Sequence, residues 1–163
     1  MEVISDRTGS SRTSRVVFVC EKDKPKHNFL CGLDQVRDCC DACVYDDVHD
    51  LHKLTAPCVR HGGECPVKYC DAFCSGFSCT AVSKYNIHSA DARGSLSKGG
   101  NPTSDTFLSS RAYMKAHRPK FTIMENVTDI DETGSGENQI EANQTNLAQL
   151  RELLSECSYF TFV

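Results

Sequence analysis

Apolar residues along the chain come in short runs separated by polar, glycine-bearing stretches. Val16, Val17, Phe18, Val19 and Cys20 form a continuous run that predicts a strand covered on both faces of a parallel sheet and ending at Glu21. Pro25 suits the first turn of a helix, and Phe29, Leu30, Leu33 and Val36 follow at helical spacing. A short strand over 42–45 stops at Asp46 and Asp47. The stretch 51–65, with a proline, two adjacent glycines and mixed charges, reads as a connection with room for a short helix. A buried strand over 69–73 then runs into Cys74, after which Ser75, Gly76 and Ser78 predict a tight turn at the lip of a sheet.

Residues 83–104 have a Gly- and Ser-rich composition that predicts a long mobile loop. Ser104 or Asp105 is positioned to cap the next helix, whose faces are marked by Phe107, Leu108, Arg111, Met114 and Lys115. Arg118 and Pro119 end it and lead into a strand over 121–124 that stops at Glu125. After a loose stretch at 129–139, Leu147, Leu150, Leu153 and Leu154 predict a helix, and 159–163 a last strand. This order predicts an α/β fold, a mostly parallel sheet with helices on both faces. Four strand ends carry Glu21, Asp47, Cys74 and Glu125. Any one alone reads as a solvated polar residue, but together they mark the crevice where such sheets hold ligands.

Composition narrows the classes. The length fits one domain from residue 16 onward, preceded by a loose, polar arm over 1–15 with too little apolar content for a secretory signal. No apolar run is long enough for a membrane span. Eleven cysteines without a signal sequence indicate reduced thiols inside a cell. A net charge of −4 gives no general attraction to nucleic acid, so any grip on phosphates must be local, from Lys22, Lys24 and Lys26 or from Lys115, Arg118 and Lys120.

The turn Phe73-Cys74-Ser75-Gly76-Phe77-Ser78, followed later by Glu125-Asn126-Val127, resembles the catalytic half of the cytosine-5 DNA methyltransferases. Cys20-Glu21-Lys22-Asp23 is similar to that family's ribose-binding strand end, Tyr45-Asp46-Asp47-Val48 to its adenine-contacting one, and His117-Arg118-Pro119-Lys120 to the approach to its Glu-Asn-Val strand. The resemblance covers roughly 16–163 and implies an incomplete Rossmann-like, S-adenosylmethionine-dependent domain in an intracellular, soluble, nuclear protein. Cys74 would be the thiolate that adds to carbon 6 of a cytosine flipped out of duplex DNA. Glu125 would neutralise charge at ring nitrogen 3, with Asn126 holding the turn. Glu21 would take the ribose hydroxyls of S-adenosylmethionine and Asp47 the adenine amino group. The 83–104 loop would be a lid or wedge against DNA.

The family's Gly-rich first turn and target-recognition region have no counterpart here, and Phe73 and Ser75 replace its usual proline and polar residue. The expectation is therefore a fragment or degenerate copy, completed by a second chain or catalytically inactive. A rival reading draws a tetrahedral zinc site from Cys40, Cys43, Cys58, His61 and Cys65, opposed by Cys43 falling in a predicted strand and by the lack of a second two-residue gap. A thiol phosphatase is disfavoured because Thr80 stands where an arginine would hold phosphate.

Overall fold

The computed structural model describes residues 3–5, 11–13, 15–33, 36, 41–133 and 140–163. The chain forms two compact units, 1–70 and 71–163, where the sequence reading expects one domain. Both are mixed α/β. Among the described residues no helix is long and apolar enough to cross a membrane.

In the first unit, two short strands within the expected arm, β1 (Val3–Ser5) and β2 (Ser11–Thr13), pair antiparallel. A four-stranded sheet follows in the order β3 (Phe18–Cys20), β4 (Cys43–Tyr45), β5 (Thr55–Cys58), β6 (Gly63–Pro66). β3 and β4 run parallel, with Phe18 beside Cys43 and Cys20 beside Tyr45. Parallel neighbours need a crossover, and helix α1 (Lys24–Gly32) lies in it. Val36, Ala42 and Val44 are buried, with Val16, Val19, Leu30 and Leu33 packed on them. The helix is shorter than its apolar spacing predicts: Leu33 already has extended backbone, and Phe29 faces solvent.

The connection expected over 51–65 is instead the β5–β6 hairpin. Its pattern was masked because Pro57 lies inside β5, where strand prolines are uncommon. The ladder tolerates it: the Pro57 carbonyl accepts from the Asp46 amide at 3.3 Å, so β5 joins β4 without a proline N–H. Gly62 turns the hairpin with φ +69°, a left-handed conformation that favours glycine. The buried Tyr45 donates its hydroxyl to the Pro66 carbonyl at 2.6 Å and so ties β4 to β6.

The second unit is built on a parallel pair, β7 (Ala72–Gly76) and β8 (Phe121–Glu125), joined through helix α2 (Pro102–His117). The strand begins at Ala72 rather than Tyr69, and Cys74 lies in its middle, not past its end. Burial alternates along β7: Phe73 packs under α2, its ring 4.7 Å from that of Tyr113, while Ala72, Cys74 and Gly76 face outward. Asn101, not Ser104 or Asp105, caps α2 by accepting the Ser104 amide. Helix α3 (Asn146–Ser155) forms as the leucine spacing predicts, with Leu150 and Leu154 buried. No strand forms over 159–163, where Phe160 and Phe162 are exposed.

The stretch expected to be a mobile loop is packed. Leu96 is fully buried, and Asn146 at the start of α3 accepts the amides of Ser95 and Leu96 and donates to the Ala92 carbonyl. A polar composition found its partners far away in sequence. The loose stretch expected over 129–139 is described only as far as 133; Thr128–Asp131 there forms a turn of 3-10 helix, with Ile130 buried.

Candidate active site

Cys74 and Glu125 are carried on adjacent strands of one sheet. Cys74 stands opposite Ile123 and Gly76 opposite Glu125, so all four belong to the same, outward face. The Glu125 carboxylate folds across β7: Oε2 lies 3.2 Å from where a Cβ on residue 76 would sit. Glycine there leaves room for the acid. Cys74 is the next outward position back along β7, two residues or about 7 Å from Gly76 at the rise of a strand. The exposed side chains of Phe121 and Ile123 border the same surface.

Beyond the strand ends, Asn126 donates to the carbonyls of Phe77 at 2.8 Å and Ser78 at 3.4 Å, and its own Oδ1 accepts the Val127 amide. One amide therefore binds the turn after β7 to the end of β8. A second support comes from α2. Thr103, Thr106 and Ser110, at helical spacing, turn hydroxyls toward this turn: Thr106 accepts the Ser78 amide at 2.9 Å, Thr103 the Ala81 amide, and Ser110 pairs with the Ser75 hydroxyl. These hydroxyls were missed from sequence, and only their three- and four-residue spacing could have suggested them. A groove of about 600 Å³ on the other, helix-covered face includes Asn126 but neither Cys74 nor Glu125.

In the first unit, Glu21 follows β3 and Asp47 closely follows the parallel neighbour β4. The Glu21 amide donates to the Tyr45 carbonyl, its Oε1 accepts from the Asp23 amide, and Lys26 approaches Oε2. Asp47 accepts the His49 amide at 3.0 Å and pairs with Lys22 at 2.9 Å. Burial raises its pKa, but the His49 amide and the Lys22 and His49 charges outweigh that and hold the carboxyl below its ordinary range. The buried His27 reaches the Glu21 carbonyl at 2.6 Å and locks this corner, a role no sequence signal announced. Burial, then the acids Asp47, Glu21 and Asp46, push the Cys20 thiol up to about 12. The two expected basic clusters are largely engaged, Lys22 and Lys26 by these acids and Lys120 by Asp71.

Four of the five residues of the rival metal reading meet in the first unit. The sulfurs of Cys43, Cys58 and Cys65 lie 3.8, 3.2 and 3.3 Å from Nδ1 of His61. Cys40 lies outside the described residues, and Cys43 takes part although it opens β4. Burial, then the neighbouring Cys58 and Cys43 sulfurs, push the Cys65 thiol up to about 11. No family model, no curated protein and no solved structure matches this chain.

Proposed function

We propose that the chain is the partial catalytic domain of a nuclear cytosine-5 DNA methyltransferase with an incomplete Rossmann-like fold. The observation that carries this reading is the shared outward face of β7 and β8, with Cys74 and Glu125 at neighbouring outward positions of adjacent strands and Asn126 tying their turns together. Further support comes from topology. Each unit contains a parallel pair with a helix in its crossover, β3–β4 and β7–β8, and the βαβ unit is the element from which doubly wound sheets are built.

The chemistry requires both groups. Cys74 as thiolate adds to carbon 6 of cytosine, forming a C–S bond and pushing the ring electrons toward carbon 5 and nitrogen 3. Glu125, protonated, donates to nitrogen 3 and disperses that charge. S-adenosylmethionine, when bound, supplies a sulfonium methyl to carbon 5. Loss of the carbon 5 proton then expels Cys74. Glu21 and Asp47 offer carboxylate acceptors at neighbouring parallel strand ends, which fits the hydroxyl and amino donors of a nucleoside. Neither supplies the backbone cradle of a Gly-rich turn, which must come from outside these residues, on the same polypeptide or on a second chain that completes the fold. Tyr85 and Ile87, both about 90% exposed beside Lys84, suit a wedge that unstacks a base step.

Duplex DNA carrying 5-fluorocytosine tests this. With S-adenosylmethionine it should yield a covalent protein–DNA adduct that Cys74→Ser abolishes and Glu125→Gln slows by roughly 10²- to 10⁴-fold. An adduct formed equally by the Cys74→Ser chain, or none under any condition, overturns the reading.

A further inference from the structure

We infer that Cys43, Cys58, His61 and Cys65 bind one zinc ion in a closed, tetrahedral, structural site. The inference stands independently of the methyltransferase reading. All four donor atoms lie within 4.8 Å of one another. A tetrahedral ion with Zn–S near 2.3 Å and Zn–N near 2.0–2.1 Å would set N···S separations of about 3.5 Å and S···S separations of about 3.8 Å. The three N···S distances, 3.2, 3.3 and 3.8 Å, scatter around that value. Small movements would bring the donors onto an ion.

The local chain explains why the donors converge. Cys58 ends β5, His61 lies in the hairpin turn, and Cys65 is in β6, a Cys-x2-His-x3-Cys run closed by Gly62 in its left-handed conformation; Cys58 to His61 is the second two-residue gap that the sequence reading held to be lacking, with histidine in place of cysteine. The Gly62 amide bonds the Cys58 carbonyl at 3.0 Å, folding the His61 ring back over the sulfurs. Cys43 arrives from β4, which pairs with β5 through Tyr45 and Cys58. Nδ1 is the imidazole atom that faces all three sulfurs, so Nε2 would carry the proton. Three thiolates and a neutral imidazole are soft donors in tetrahedral array, which selects zinc over calcium or magnesium. With all four positions filled by protein, the ion has no open site for substrate, and its role is to clamp the hairpin onto β4.

Three thiolates and one divalent ion leave a net negative charge. Arg60, next to His61, is suitably placed to offset it while its guanidinium holds the carbonyls of Val36 and Ala42. Binding the cation releases the thiol protons and offsets the charge left on the sulfurs.

Full-length chain produced with zinc and dialysed against metal-free buffer should retain about one zinc per molecule. Cobalt(II) put in its place should show the intense visible bands and sulfur charge-transfer absorption of a tetrahedral thiolate site. Cys58→Ser with Cys65→Ser should lose the metal, Cys79→Ser should keep it, and His61→Cys, with four soft donors, should keep it too. Zinc content far below one per chain, the weak visible spectrum of six-coordinate cobalt, or stoichiometric zinc surviving the double serine substitution would each overturn the assignment. The cobalt spectrum of the unsubstituted chain decides even where a variant fails to fold.

Discussion

Asp47 combines two tasks in one carboxylate: it caps the turn at Val48–Asp50 through the His49 amide and pairs with Lys22 beyond the neighbouring strand. Its pKa is shifted below the ordinary value of 3.8. A group depressed in this way adds stability that is fully present above its unfolded value and fades as pH falls through the lower, folded one. Asp47→Asn keeps an acceptor for the cap and removes the charge. Urea unfolding of the two proteins should therefore show a constant gap near neutral pH that begins to close below about pH 4 and vanishes in stronger acid. A gap that widens with acid would contradict the assignment. The position of Asp47 at a strand end was legible from sequence; its partner Lys22 was not, because a flexible side chain finds its ion pair only once two strands lie side by side.

Among the elements, the legible ones are those whose own residues fill their hydrogen bonds and cover their apolar face. Helices α2 and α3 belong to this group, announced by spacing; the strand feeding Glu125 was legible by its apolar run alone, its hydrogen bonds being made to β7. The β5–β6 hairpin and the 83–101 connection were not, because each is completed by something distant: Tyr45 and the sulfur cluster for one, Asn146 for the other. Asn146→Ala would strand two amides and the Ala92 carbonyl in a buried setting, and should cost about 3 kcal/mol in chemical denaturation. Gly94→Ala should also destabilise, by roughly 1–3 kcal/mol, since residue 94 has φ +60° and an added Cβ would stand 2.9 Å from the Gln144 carbonyl oxygen. If neither change lowered the denaturation midpoint, the loop would not be pinned to α3 as described. For the candidate site, the Cys74 and Glu125 pair was legible as a motif, whereas its second support, the Thr103, Thr106 and Ser110 hydroxyls, depended on how α2 lies over β7.

At the scale of the whole molecule, the division into 1–70 and 71–163 puts the sulfur cluster, Glu21 and Asp47 in the first unit and Cys74 and Glu125, the sulfur and acid proposed for base chemistry, in the second. No single stretch of sequence announced that boundary, since Tyr69 and Cys70 read as the start of a strand and the break falls just after them. The second unit carries a solvent-facing thiol, Cys74, beside Ile123 on an outward face that also exposes Phe121. Two copies meeting by those surfaces would bring sulfur to sulfur. Stored in air, the 18.1 kDa chain should accumulate a covalent dimer on a non-reducing gel, cleared by dithiothreitol and absent in Cys74→Ser. Purification without reductant would thus silence the very group an assay sets out to measure.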